Sequence, residues 1–286
     1  MTGGAGGPHG RDRGCELTAL AADGTPLHVE MHGAEGAPAV LLAHDRALSA
    51  RVWDAVVADL AADHLVIAYD QRGHARTPPR AAGAGPPGLA TAADDLCTVL
   101  EACLGPGERA VLAGHGLGAL AILAAAGPRL LRRASAAVLC SPDGGPARLP
   151  LGVWPPLTRW LFRRRVLGPY APGAAAGACA RMAHDGRGGG ARSWAAALRG
   201  VDAVRDTAPG RLDVPSAVLV GGAEPVAARA GARAVAGALP WCAGVTEVGG
   251  AGRVLPLEAP GAVARSVRAL APAGRPAPTQ NRRSPA

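Results

Sequence analysis

At 286 residues the chain can bury one large core, and its formal charge of +8 is carried by 30 arginines and no lysine, alongside abundant Ala, Gly and Pro. That compositional bias, with no RNA- or DNA-binding module pattern, argues against a nucleic-acid partner. No apolar run approaches the length of a membrane span and no targeting segment opens the chain, so a soluble cytoplasmic protein is expected.

In chain order, residues 1–14 are Gly-rich and expected to be disordered. Leu17 to Leu20 and Leu27 to Met31 predict a hairpin around the turn Asp23-Gly24-Thr25-Pro26. Val40 to Ala43 predicts a short buried strand, Ser49 to Leu60 an amphipathic helix, and Leu65 to Tyr69 a strand running into the loop Asp70-Gln71-Arg72-Gly73-His74. Leu96, Val99, Leu100 and Cys103 mark one face of a helix from Leu89 to Leu104, stopped by Gly105-Pro106-Gly107. Ala110 to Ala113 predicts a strand, Gly114-His115-Gly116-Leu117-Gly118 a sharp turn, and Ala119 to Ala124 a small-residue helix.

A strand over Ala136 to Leu139 ends at Cys140-Ser141-Pro142, after which the alternation breaks until Ala217 to Val220. Val226 to Leu239 (helix), Val245 to Val248 (strand) and Ala262 to Leu270 (helix) then close the pattern. The organisation predicted is a core of residues 15–142 and 214–272, a helical insertion of residues 143–213, and a disordered tail of residues 273–286. The six cysteines (Cys15, Cys97, Cys103, Cys140, Cys179, Cys242) have no metal-ligand spacing and read as buried thiols. No metal, dinucleotide or phosphate motif implies a cofactor; Gly114-x-Gly116-x-Gly118 lacks the third glycine at the right step.

The stretch Leu41 to Pro78, the turn at Gly114 to Gly118, Leu219 to Pro225 and Gly249 to Pro260 together resemble the α/β-hydrolase superfamily, in particular its capped esterase, lipase and haloperoxidase-like members. The resemblance implies an α/β fold with a mostly parallel central sheet flanked by helices, the insertion being a cap. It also implies a serine, an acid and a histidine in chain order on loops at the carboxyl ends of strands. The nucleophile's place falls on Gly116, the acid's on Glu224 and the histidine's on Arg253. A glycine offers no oxygen to attack with, and an arginine holds its proton at every working pH. The oxyanion loop, where the family has His-Gly, reads His44-Asp45, and the backbone N–H groups of Arg46 and Leu117 are the expected oxyanion donors. Asp45 is read in two ways: a carboxylate opposing those donors, or a residue turned to solvent or paired with Arg46 or Arg72.

These substitutions favour a hydrolase-like protein without serine-triad catalysis, binding a small apolar or carboxylate-bearing ligand or a protein partner. Arg253 is expected to form a two-pronged ion pair with Glu224. The alternative is a weak carboxylic-ester hydrolase using residual or relocated groups, with Ser141, Cys140 and Asp143 as candidates beside His44 and His115. Relatives with an Asp nucleophile need the same two missing groups. In the insertion, Trp154 and Trp160 are candidate cap and pocket residues; its eleven arginines against five aspartates leave open a contact with an anionic membrane surface.

Overall fold

The structure is a computed structural model, and it describes residues 14–46, 48–79, 88–142 and 203–271. Trp154, Trp160 and most of the predicted insertion lie outside the described residues.

Among the described residues eight strands form one sheet: β1 (Cys15–Leu20), β2 (Pro26–His32), β3 (Ala39–Ala43), β4 (Leu65–Tyr69), β5 (Ala110–His115), β6 (Ala134–Cys140), β7 (Ser216–Gly221) and β8 (Cys242–Val248). Their order across the sheet is β1-β2-β4-β3-β5-β6-β7-β8. The hairpin β1–β2 joins β4 antiparallel, and every pair from β4 to β8 is parallel. Strands such as Ala39–Ala43 and Ala110–His115 are buried along their whole length, as strands covered on both faces must be.

Helices cover both faces. α1 (Asp54–Leu60), α2 (Leu89–Cys103), α3 (Leu117–Ala124) and the short α4 (Pro128–Leu131) are followed among the described residues by α5 (Val226–Ala238), α6 (Leu255–Glu258) and α7 (Pro260–Leu270). One core gathers Leu96 and Leu100 of α2, Leu120 and Leu123 of α3 and Val235 of α5 against Leu41, Leu112 and Val218. The opposite core gathers Val56 and Leu60 of α1 and Val263 and Val267 of α7 against Val40, Leu42 and Val138. This is the α/β-hydrolase fold, and no helix among the described residues is long and apolar enough to cross a membrane.

The predicted helix Ser49 to Leu60 begins instead as a 3-10 turn, Ala50–Trp53, before α1 takes over. The Asp70 carboxylate at the end of β4 accepts the Ala50 N–H at 2.9 Å, so a tertiary bond sets this start.

Parallel register places the carboxyl ends of β3 to β8 on one edge of the sheet, where the chain turns into the loops that carry His44, Asp70, Gly116, Ser141, Glu224 and Arg253. One loop is fastened by a buried charge cluster. The Arg72 guanidinium donates to both oxygens of Asp95 on α2, at 2.9 and 2.6 Å, and through Nη1 to Asp23 at 2.7 Å and Thr25 at 2.6 Å in the β1–β2 turn. Arg72 and Asp95 are each 3% exposed, so neither charge has water as an alternative partner. Arg72→Ala strands the Asp95 carboxylate and is expected to cost about 3–5 kcal/mol; the drop is read from the midpoint of urea unfolding.

Candidate active site

β5 delivers the chain to Gly116, whose φ of 51° and ψ of −109° make the strained elbow that lifts one residue above the sheet before α3 begins. The turn needs two close approaches. Gly118 sits so near β3 that an added Cβ would lie 2.1 Å from the Ala43 carbonyl oxygen, and its N–H donates to the His44 carbonyl at 3.1 Å. At Gly116 the space for a side chain is already taken: an ideal Cβ there would lie 2.1 Å from Cγ of Asp45 and 2.3 Å from each of its oxygens.

Asp45 therefore points inward, towards the turn and away from bulk solvent. Its Oδ1 accepts the backbone N–H groups of Arg46 at 2.8 Å and Leu117 at 2.7 Å, the two donors expected to form the oxyanion hole. Its Oδ2 lies 3.6 Å from Nε of Arg253. Burial on its own would raise the carboxyl pKa, but the Arg253 charge and the donated N–H bonds outweigh it and hold the group at about 2, below its ordinary 3.8. It is a buried, ionised carboxylate with both oxygens engaged.

Arg253 does reach Glu224, with Nη1 3.4 Å from Oε2, but the guanidinium is divided between two carboxylates and does not clasp Glu224 alone. Glu224, 3% exposed, also accepts the Gly221 N–H at 3.0 Å and the Ser141 hydroxyl at 2.7 Å. Ser141 is fully buried with φ of 48°, an unusual backbone for a residue before proline. Its Oγ lies between Glu224 and the Arg253 carbonyl at 3.3 Å, and no imidazole contacts it among the described residues. Burial pushes the adjacent Cys140 thiol up to about 12, which keeps it protonated at neutral pH. Asp143 lies outside the described residues.

Both candidate histidines are fully buried and bonded to backbone. The Gln71 N–H donates to Nε2 of His44 at 2.8 Å, so Nδ1 carries the proton and donates to the Asp45 carbonyl at 2.7 Å. His115 Nε2 lies 2.9 Å from the Arg253 carbonyl, tying the β5 end to the last loop. Burial lowers the pKa of each, that of His115 to about 4, and both are neutral scaffold rings at neutral pH. His74 packs edge-on against His44 with centroids 5.1 Å apart and has the same character.

Two contributors escaped the sequence reading. The Glu258 carboxylate of α6 accepts the N–H groups of Gly252 at 2.6 Å and Val254 at 2.9 Å, gripping the backbone on either side of Arg253. The signal was a carboxylate in the first turn of a short helix just after the loop, a position suited to free N–H groups. The second is Ser141 as partner of Glu224, for which the sequence offers no local cue. Away from the site, Glu16, His28 and Glu30 bring ligand-type atoms within 4.8 Å of one another on the β1–β2 hairpin. Arg76 supplies the cation there, 3.3 Å from Glu16 and in contact with Glu30.

Because the folded pKa of Asp45 lies below its unfolded value, its contribution to stability is complete above about pH 4 and is lost as pH falls towards 2. Comparing wild type with Asp45→Asn by urea unfolding from pH 7 to pH 2 is expected to show a constant difference above pH 4 that shrinks by about 2 kcal/mol across the acid window.

Several known proteins resemble this chain. It is 45% identical over 96 residues to a putative carbamate hydrolase, RutD, of Variovorax paradoxus (strain S110), a match spanning 33% of this chain and 35% of that protein. Among solved structures, the esterase RhEst1 of Rhodococcus sp. ECU1013 is similar at a TM-score of 0.75 and 24% identity, over 89% of this chain and 97% of that one. A thermophilic esterase of Thermogutta terrifontis is similar at 0.71 and 21%, over 89% and 97%. The enol-lactonase of Burkholderia xenovorans LB400 is similar at 0.67 and 23%, over 89% and 99%. These likenesses establish the fold. A sequence model of the Alpha/beta hydrolase family matches residues 40–266, and the chain belongs to that family.

Proposed function

We propose that this protein is a non-catalytic member of the α/β-hydrolase family, a binding protein that keeps the scaffold of an esterase without serine-triad chemistry. One observation carries the reading. At the tip of the elbow, facing the N–H groups of Arg46 and Leu117, stands a glycine whose side-chain space is filled by the Asp45 carboxylate. Acyl transfer needs an attacking atom there and a proton acceptor beside it. The acid position, Glu224, faces a hydroxyl and a guanidinium in place of an imidazole.

Two carboxylates already face Arg253, so the cation that would draw an anionic ligand is balanced from within. A small apolar ligand or a protein partner is therefore favoured over a carboxylate-bearing one. A relocated nucleophile has less support, because Ser141 bonds to Glu224 with no histidine beside it and Cys140 remains a thiol.

The purified protein is expected to show neither labelling by a serine-directed fluorophosphonate nor turnover of a short-chain aryl ester beyond the roughly thousandfold over water that a bare binding site can give. Stoichiometric labelling of the wild type, mapped to one residue by peptide mass spectrometry, would overturn the reading. Gly116→Ser combined with Arg253→His is expected to stay silent while Asp45 fills the donors, and to become labelled when Asp45→Gly is added. Gly116→Ser alone is expected to lower stability by about 1–3 kcal/mol, since φ at 116 is 51° and the new Cβ meets Asp45.

A further inference from the structure

We infer that the Asp45 carboxylate is a built-in ligand, seated where the family binds the reacting acyl group, and that deleting it exposes a site for small monocarboxylates matched in size to the atoms removed. The inference rests on the reading that no nucleophile side chain occupies position 116, but it concerns occupancy and not turnover. Three groups define the seat: the Arg46 and Leu117 N–H groups converge on one oxygen at 2.8 and 2.7 Å, and Arg253 approaches the other at 3.6 Å. Gly116 supplies the room, since any Cβ there would collide with the carboxylate carbon. The Asp45 side chain is 11% exposed, so the seat is almost sealed and yet open on one side to solvent.

The backbone that aims these donors has ties besides the Asp45 side chain. The Asp45 carbonyl is held by His44 Nδ1 at 2.7 Å and the Leu48 N–H at 3.2 Å, while Gly118 N–H ties α3 to His44. Arg253 keeps Glu224 as a partner and its loop keeps Glu258. Truncation at residue 45 therefore removes the acceptor on which two N–H groups and a guanidinium converge, a loss that an outside anion of the same shape makes good. Asp45→Gly deletes a methylene and a carboxylate, which acetate replaces atom for atom. Asp45→Ala deletes the carboxylate alone, which formate replaces.

The test is thermal unfolding of the full chain and its variants in acetate, formate, chloride or acetamide, at one ionic strength. Acetate is expected to raise the Tm of Asp45→Gly saturably, by about 3–6 °C at ten times its dissociation constant. Formate is expected to be the better ligand of Asp45→Ala, and neither anion should move the wild type or Asp45→Asn, whose side chains fill the seat. Acetamide, isosteric but uncharged, should have no effect. If Asp45→Gly folds only when acetate is present, that dependence supports the inference. Equal responses from wild type and variants, or no response from folded Asp45→Gly and Asp45→Ala, would overturn it, as would failure of both variants to fold even with their matching anions. Because no step of this assay reads ester hydrolysis, wild-type labelling by fluorophosphonate would sink the proposed function while leaving the acetate result to stand or fall separately.

Discussion

The architecture of this site is organised by one carboxylate held between two backbone N–H groups and a guanidinium. In water an exposed aspartate–arginine pair is worth little, but here burial removes the competing solvent and the N–H groups make the bonds charge-assisted. Position 116 must be glycine while Asp45 sits there, because the carboxylate and a side chain would share the same space. Arg253 must in turn be cationic, because Asp45 and Glu224 would otherwise face each other as buried like charges. The residues at 45, 116 and 253 are therefore coupled, and each one makes the other two physically tolerable.

That coupling depends on the sheet edge beneath it. The parallel strands β3, β5, β6 and β7 bring residues 44, 116, 141 and 224 to one place. The ties that hold the loops are mostly side chain to backbone: His44 to Gln71 and His115 to Arg253 join separate loops, while His44 to Asp45 and Glu258 to Gly252 and Val254 brace a single one. Arg72 fastens the β4 loop to α2 and to the β1–β2 turn on the far side. A frame of this kind fixes backbone donors to the precision an oxyanion hole requires, whichever atoms later occupy it.

Much of the fold was legible because its signals are local. Leu65 to Tyr69 reads as a continuous apolar run between turn residues, and it is a strand with those bounds. The strand at Cys242–Val248 was read three residues short because Gly244, with φ of 126°, interrupts an exposed edge with no alternating apolar face. The short helix Pro128–Leu131 was missed because four residues carry no period. At the site, motif positions in chain order point to 116, 224 and 253, and the structure brings those three residues together around Asp45. What sequence could not supply was direction: Asp45 could have turned to solvent or to Arg72, and only the close packing of β3 against the elbow aims it at Gly116. The Ser141–Glu224 bond spans 83 positions and has no counterpart in any local pattern.

The grip of Glu258 on the N–H groups flanking Arg253 separates the course of that loop from the identity of the residue it displays. The carboxylate anchors main chain alone and makes no demand on the side chain at the apex. Such a mount works like a socket: it sets the path of the main chain, while Asp45 and Glu224 decide which charge the fitted side chain must carry. In a molecule built this way, the backbone course of the loop and the charge balance at its tip are set by different carboxylates.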